Sequence, residues 1–371
     1  MKLSNIRKIN LIGDLHLGIR NNSVEWLEIQ KDFLLDFLSK TIDADFDEDR
    51  DILILEGDIF HSRESINVRI QNEAFDIFKQ LATKFKRGIY IIIGNHDVYY
   101  KDKNEVHSLK SLSYLADNIH VFETPEVLTI NETHNFLMLP WIEDVSRLSN
   151  VVNDYRNICQ YIVCHADIKG LKFNKWTHVE HGIEIDALDS YKRVYGGHIH
   201  HRQESRNVLY TGTPYQMDRG DMGNIKGFYQ LGVDSPTLTE TFIENTQSPT
   251  FVKFDVMKVL EMTLDEIAEH FKNNFVDLMI NVNSTNRFSV TRFLEEISEI
   301  SHRKIEFFTY VDQTQAEAEM NSEFNPEEGF NITDIFKMYV KSRDYSQDFK
   351  SDLARKFIEI HQAVKEENTY A

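Results

Sequence analysis

Residues 193–201 read RVYGGHIHH, so that three histidines, His198, His200 and His201, stand within four positions behind two glycines. Four other stretches carry groups of the same kind. They are Gly13-Asp14-Leu15-His16, Gly57-Asp58-Ile59-Phe60-His61, Gly94-Asn95-His96-Asp97, and His165 in VCHAD. Carboxylate and imidazole together suit Mn, Fe or Zn, whereas Ca and Mg prefer oxygen. The candidate ligands are Asp14, His16, Asp58, Asn95, His165, His198 and His200. The set suits two ions, with one carboxylate, best assigned to Asp58, bridging them and positions left open for water and substrate. Two ions about 3.5–4 Å apart clamp the attacking and leaving oxygens of an in-line phosphoryl displacement and lower the pKa of bound water.

Each group follows a short apolar run. KINLI (8–12), DILIL (51–55), IYIII (89–93), QYIVC (160–164) and KRVY (192–195) read as strands, rich in residues that suit burial on both faces. Ligands in α/β sheets bind outside the carboxyl ends of strands, so five strand ends deliver their side chains to one crevice. Taken singly, each piece has a plainer reading. An Asp after a strand is often a helix cap, and one His is often an ordinary half-buried residue. Five in order on five strand ends favour the shared site. His107, His120, His134, His178, His181, His270, His302 and His361 lack this context and read as surface or packing residues, and His201 reads as structural.

Helical segments lie between the strands. One covers 24–39, with Leu27, Phe33, Leu34, Phe37 and Leu38 on a common side, and another covers 67–85, with Ile70, Ala74, Ile77, Phe78 and Leu81. This alternation predicts an α/β layered fold over 1–245. The acidic run 43–51 reads as a solvated loop. A smaller α/β unit is expected over 251–311, with strands at 251–256, 277–282 and 304–311 and helices at 264–274 and 290–300. Residues 312–331 are polar and weakly patterned, a linker. Residues 332–371 carry two amphipathic helices, with apolar stripes Ile332, Ile335, Phe336, Tyr339, Val340 and Phe349, Leu353, Phe357, Ile360, Val364.

The 371 residues exceed what one compact domain needs, and 41% hydrophobic content supports a real core. No run is long enough for a membrane span, and the N-terminus has no signal-peptide pattern. The two cysteines, Cys159 and Cys164, form no CxxC pair, which fits a reducing cytoplasm. The net charge of −19 repels nucleic acid and anionic membranes, so a phosphate-bearing ligand needs a local positive centre. Bound cations are such a centre.

The motifs GDLHLG, GDIFH, GNHD and YGGHIHH, with LYTGTPYQMDRGD and KGFYQL after them, resemble the calcineurin-like metallophosphoesterase superfamily. More narrowly, they resemble the SbcD-type DNA repair nucleases, in the form found as the recombination endonuclease subunit of tailed phages. The match covers about residues 9–231, and Cys164 before His165 departs from the usual pattern. The resemblance implies a layered metallophosphoesterase β-sandwich flanked by helices, with a small α/β capping domain and C-terminal helices. It implies that Asp14, His16, Asp58 and His200 hold one metal, and that Asp58, Asn95, His165 and His198 hold the other, most often Mn²⁺. His96 resembles the histidine that assists the leaving oxygen, and His61 the one that orients the phosphate. The implied activity is a metal-dependent phosphodiesterase, a DNA exonuclease and endonuclease of recombination and repair in the host cytoplasm. The implied partners are DNA, a second nuclease subunit and an SMC-like coiled-coil ATPase, the last bound through the C-terminal helices. Lys169, Lys172, Lys175, Arg202 and Arg206 stand near the motifs as candidate phosphate contacts. Two other readings remain: a phosphomonoesterase or protein phosphatase of the same superfamily, and a non-catalytic scaffold for the ATPase. The second motif weighs against the phosphatase, which carries GDxxDRG where this chain has GDIFHSR. The complete ligand set weighs against the scaffold.

Overall fold

In a computed structural model of the protein, which describes residues 1–173, 177–281, 300, 303–310, 353, 356 and 357, the DILIL run is a strand buried along its whole length. Ile52 and Ile54 face one hydrophobic layer, while Leu53 and Leu55 face another. This two-sided burial follows from the two-residue period of a strand whose positions are nearly all apolar. The strands that reach the candidate site are β1 (Lys8–Ile12), β2 (Asp51–Leu55), β3 (Ile89–Ile92), β4 (Tyr161–His165) and β5 (Arg193–Gly197). They divide between two sheets. β1, β2 and β3 are parallel neighbours in a six-stranded sheet, extended by Ile119–Phe122 on one side and by the antiparallel strands Gly227–Gly232 and Thr239–Glu244 on the other. β4 and β5 are parallel neighbours in a seven-stranded sheet.

The sheets pack face to face. Ile9, Leu11, Ile52, Ile54, Tyr90 and Ile92 from the first meet Phe136, Met138, Tyr161, Val163 and Tyr195 from the second. Helices cover the outer faces. The segment from Val24 bears Leu27, Phe33, Leu34, Phe37 and Leu38, and Val68–Lys84 bears Ile70, Ala74, Ile77, Phe78 and Leu81, all buried against the first sheet. Val145–Tyr155 buries Leu148 and Val152 against Ile162 and Cys164 of β4. The expected layered sandwich flanked by helices is the observed fold.

Local sequence explains the helix ends. Ser23 caps Val24–Lys31 by accepting from the Trp26 N–H, and Asn67 caps Val68–Lys84 by accepting from the Arg69 N–H. One detail departs from a uniform helix over 24–39. Asp32–Phe37 is a π-helical turn, and the helix runs on to Asp43. The wider turn keeps Phe33, Leu34, Phe37 and Leu38 all in the core.

The strands Phe251–Asp255, Phe275–Asn281 and Lys304–Tyr310 form a separate parallel sheet, with Leu264–Phe271 closing its own small core through Ile267 and Phe271. Thr263 and Glu266 form a capping box at that helix. Trp26 stacks on Phe275 with ring centroids 5.4 Å apart, and Arg219 pairs with Asp277 and Glu306. These contacts tie the small sheet to the sandwich. The helix expected at 290–300 lies outside the described residues apart from Ile300. The chain divides into two compact units, Met1–Tyr310 and Val311–Ala371. The linker and helices expected in the second lie outside the described residues, except Leu353, Lys356 and Phe357.

Candidate metal centre

Parallel strands in both sheets bring their carboxyl ends to one place. The loop after β1 runs beside the loop after β2. The N–H groups of Leu15 and His16 donate to Asp58 O at 3.2 and 2.9 Å, that of Leu17 donates to Ile59 O at 2.8 Å, and that of His61 donates back to Leu17 O at 2.9 Å. In the loops after β1, β2 and β5, His16, Asp58 and His198 have positive φ, at 50°, 49° and 89°. Such backbone strain costs on the order of 1–3 kcal/mol per residue and gathers at functional sites. Gly57, at φ 94°, cannot be replaced freely, because a Cβ there would lie 2.7 Å from His165 Nδ1 and from Gly94 N.

All nine residues singled out in the sequence meet here. Ligand-type atoms of Asp14, His16 and His200 lie within 4.8 Å of one another, as do those of Asp58, His165 and His198, and those of His16, His61 and His96. Asn95 joins the second group, its Oδ1 2.9 Å from His165 Nε2 and 3.0 Å from His198 Nδ1. Asp58 lies between the groups, with Oδ2 3.5 Å from His16 Nε2 and Oδ1 3.4 Å from His165 Nε2. His16 Nε2 is 3.0 Å from His200 Nε2.

The donor set fits divalent cations. Burial drives His16 well below the usual imidazole range and lowers His200 to about 4, so both are neutral and keep a lone pair. Burial also pushes Asp14 up to about 6, with Asp58 adding to the effect. Asp58 resists the same burial because His165, His16 and His96 hold it well below the carboxylate range. Burial opposes a charge on His165, yet Asp58 and Asp14 outweigh it and raise the ring to about 10. The buried carboxylates thus demand positive charge at this point. A cation would supply it and free His165 Nε2 to act as a ligand.

The outer rim fixes these groups. His165 Nδ1 lies 2.7 Å from Glu56 O, and His96 Nδ1 lies 2.6 Å from His61 O. The His96 N–H donates to Asp58 Oδ1 at 2.8 Å, and the His61 and His96 rings stack at 5.5 Å. Asp97, buried, accepts from the N–H groups of Ile59, Phe60 and Gly94 and so clamps the second loop to the third. Lys226, also buried, donates to His200 O and pairs with Asp221 at 2.6 Å. Sequence reasoning gave Asp97, Lys226 and Asp221 no role, although Asp97 closes GNHD, Asp221 closes LYTGTPYQMDRGD and Lys226 opens KGFYQL.

The basic residues near the motifs are mostly engaged within the protein. Lys169 pairs with Glu184, and Arg206 with Asp186 and Asp189. Arg202 donates to Ile225 O and lies over the Phe242 ring. Lys175 lies outside the described residues.

The sequence of the calcineurin-like phosphoesterase family matches residues 7–222, which span all five site loops. The chain belongs to that family. With the buried carboxylate and imidazole cluster, this makes it a metal-dependent phosphoesterase. The chain is 30% identical over 242 residues to Exonuclease subunit 1 of Enterobacteria phage T4, covering 64% of this chain and 68% of that protein. It is 25% identical over 250 residues to the 244L protein of Invertebrate iridescent virus 6, described as a phosphoesterase, covering 63% of this chain and 78% of that one. No helix among the described residues is long and apolar enough to cross a membrane.

Proposed function

We propose that this phosphoesterase hydrolyses DNA phosphodiester bonds as an Mn²⁺-dependent exonuclease and endonuclease, the nuclease subunit of a recombination and repair complex. The observation that carries the reading is the meeting of Asp14, His16, Asp58, Asn95, His165, His198 and His200 at five strand ends, beside two further histidines. The similarity to a phage exonuclease subunit supports DNA as the substrate. Asp14, His16, Asp58 and His200 would hold one ion, and Asp58, Asn95, His165 and His198 the other. When bound, two such ions supply the positive charge that draws a phosphate to a chain of net charge −19 and activate the attacking water.

The remaining work falls to this chain's own side chains. His96 Nδ1 faces the His61 carbonyl, so that nitrogen carries a hydrogen and Nε2 is left to exchange a proton. A sugar alkoxide is a poor leaving group, and protonated Nε2 would deliver a proton to it as the P–O bond breaks. His61, stacked on His96, would orient the phosphate.

The same reading assigns the partner. Residues 332–371 would dock their apolar stripes on the coiled coil of an SMC-like ATPase, and a second nuclease subunit would complete the assembly in the host cytoplasm. Purified protein with Mn²⁺, offered linear duplex DNA, circular single-stranded DNA, p-nitrophenyl phosphate and a phosphopeptide, tests the assignment. Cleavage of both DNAs is the expected result. Turnover of the phosphopeptide alone would make it a phosphatase, and no turnover at all would make it a scaffold.

A further inference from the structure

Asp167 lies two residues past His165, outside the ligand set. Its Oδ1 is 3.0 Å from His198 Nε2. The other nitrogen of the same ring, Nδ1, is 3.0 Å from Asn95 Oδ1, on the side where Asp58 and His165 converge. A neutral imidazole has one N–H and one lone pair, and a carboxylate can only accept. The proton therefore belongs on Nε2, beside Asp167. Nδ1 faces Asn95 Oδ1, which can only accept, so the lone pair on Nδ1 would be satisfied by a cation seated between it and the oxygens of the centre.

The segment that carries Asp167 is clamped on both sides. The Tyr210 hydroxyl donates to Ala166 O at 2.7 Å and accepts from the Ile168 N–H at 3.0 Å. Asp167 O accepts from the Ile183 N–H at 3.0 Å. Gly182, at φ 130°, allows this approach, since a Cβ there would stand 2.3 Å from Asp167 O. The Trp141 ring lies 5.0 Å from the His198 ring and limits its tilt. His165 follows the same plan, with its outer nitrogen fixed by Glu56 O. Both imidazoles of this half of the centre thus have their outer nitrogens committed before any cation arrives.

We infer that Asp167 is a positioning residue that sets the tautomer and angle of His198, presenting Nδ1 as its metal-binding atom and adding negative charge behind it. A carboxylate–imidazole–metal relay of this kind typically contributes 10–100-fold in metal affinity. The inference rests on His198 being a ligand, as proposed above. A plain surface ion pair would hold the loop without affecting either the tautomer or the affinity.

Two measurements on the full chain separate these cases. In protein loaded with Zn²⁺ as a diamagnetic substitute for Mn²⁺ and carrying ¹⁵N-labelled histidine, NMR should show the hydrogen of His198 on Nε2 and none on Nδ1. Calorimetric titration with Mn²⁺ should show roughly 10–100-fold weaker binding at one of two sites in Asp167→Ala. Asp167→Asn keeps an acceptor oxygen, so it should retain the tautomer and bind with intermediate strength. A wild-type His198 protonated at Nδ1, or an Asp167→Ala protein that binds Mn²⁺ like the wild type, overturns the inference. Should Asp167→Ala not fold, the wild-type spectrum and the Asn variant decide. His198→Ala is titrated alongside. If it binds two Mn²⁺ ions normally, the ligand assignment itself fails. If it loses one site while Asp167→Ala loses nothing, only the role of Asp167 fails.

Discussion

The backbone N–H of His198 donates to both carboxylate oxygens of Asp14, at 3.1 and 2.9 Å, across 184 residues of sequence. This joins the loop after the first site strand to the loop after the last, and therefore one sheet to the other. The contact needs Gly197. A Cβ there would stand 2.5 Å from Glu56 O and 2.8 Å from Asp14 Oδ1. Gly197→Ala should separate the two loops at an overpacking cost of about 1–3 kcal/mol. A lower melting temperature together with weaker Mn²⁺ binding is expected. Normal values of both would show that the loops adjust without cost.

Asp58 reaches both halves of the centre, 3.5 Å from His16 and 3.4 Å from His165. Asp58→Ala should remove nearly all phosphodiesterase activity, and elemental analysis should show metal content falling with it. Normal occupancy and normal cleavage would mean that Asp58 is not the bridge.

Glu56 gives the fold a pH dependence of defined sign. Burial, joined by the charge of Asp14, pushes its carboxyl up to about 8, against the Thr211 hydroxyl and His165. Its value in the unfolded chain is 4.5. Between those limits the unfolded chain has lost the proton while the folded chain keeps it. Unfolding then releases a proton, and stability falls as pH rises through the window, by at most about 1.4 kcal/mol per pH unit. Glu56→Gln lacks this loss. Melting temperatures with a chelator present should therefore improve for the variant relative to wild type from pH 5 to pH 8. A constant difference across that range would place the Glu56 pKa near its ordinary value.

The candidate site was legible because each strand announces itself twice. Ile52 to Leu55 are apolar without a break, and Gly57-Asp58 follows at once. The same pairing of a buried run with a polar turn marks β1, β3 and β5. What stayed hidden depends on contacts distant in sequence. Nothing near Lys226 reveals that its ammonium reaches His200 O, nor does Asp167 show locally that it faces His198. The hairpin Glu126–Ile130 and His134–Leu139 is a different case. Its turn at Asn131 and Glu132, both at positive φ, follows an ordinary turn preference for Asn, but the flanking runs carry no site residue to draw attention. The π-turn at Asp32–Phe37 preserves the helix's buried side, so the apolar pattern alone reads as a plain helix.

His96 touches the cluster through its backbone, which donates to Asp58, while its Nδ1 is held by the His61 carbonyl. A residue so placed can carry a proton without holding metal. His96→Ala should bind Mn²⁺ and DNA almost normally, with kcat lower by roughly 10²–10⁴-fold, the usual contribution of acid–base catalysis. Loss of an Mn²⁺ ion from this variant would move His96 into the ligand set, which its proximity to His16 and His61 also permits.

The last expectation concerns residues 332–371. Ile332, Ile335, Phe336, Tyr339 and Val340 repeat at i, i+3, i+4, i+7 and i+8, and Phe349, Leu353, Phe357, Ile360 and Val364 form a second stripe. Helices of this length are marginal in water unless an apolar surface receives them. That surface is either the protein's own core or another chain. The polar stretch 312–331 favours another chain, because a segment that folds back on its own domain has little use for so long a hydrophilic tether. A chain ending near residue 325 should keep Mn²⁺-dependent cleavage of single-stranded DNA, since all nine site residues lie before residue 201. It should fail to co-purify with the ATPase, and ATP should no longer affect its action on duplex DNA. A tight complex formed by the shortened chain would return these helices to the protein's own core.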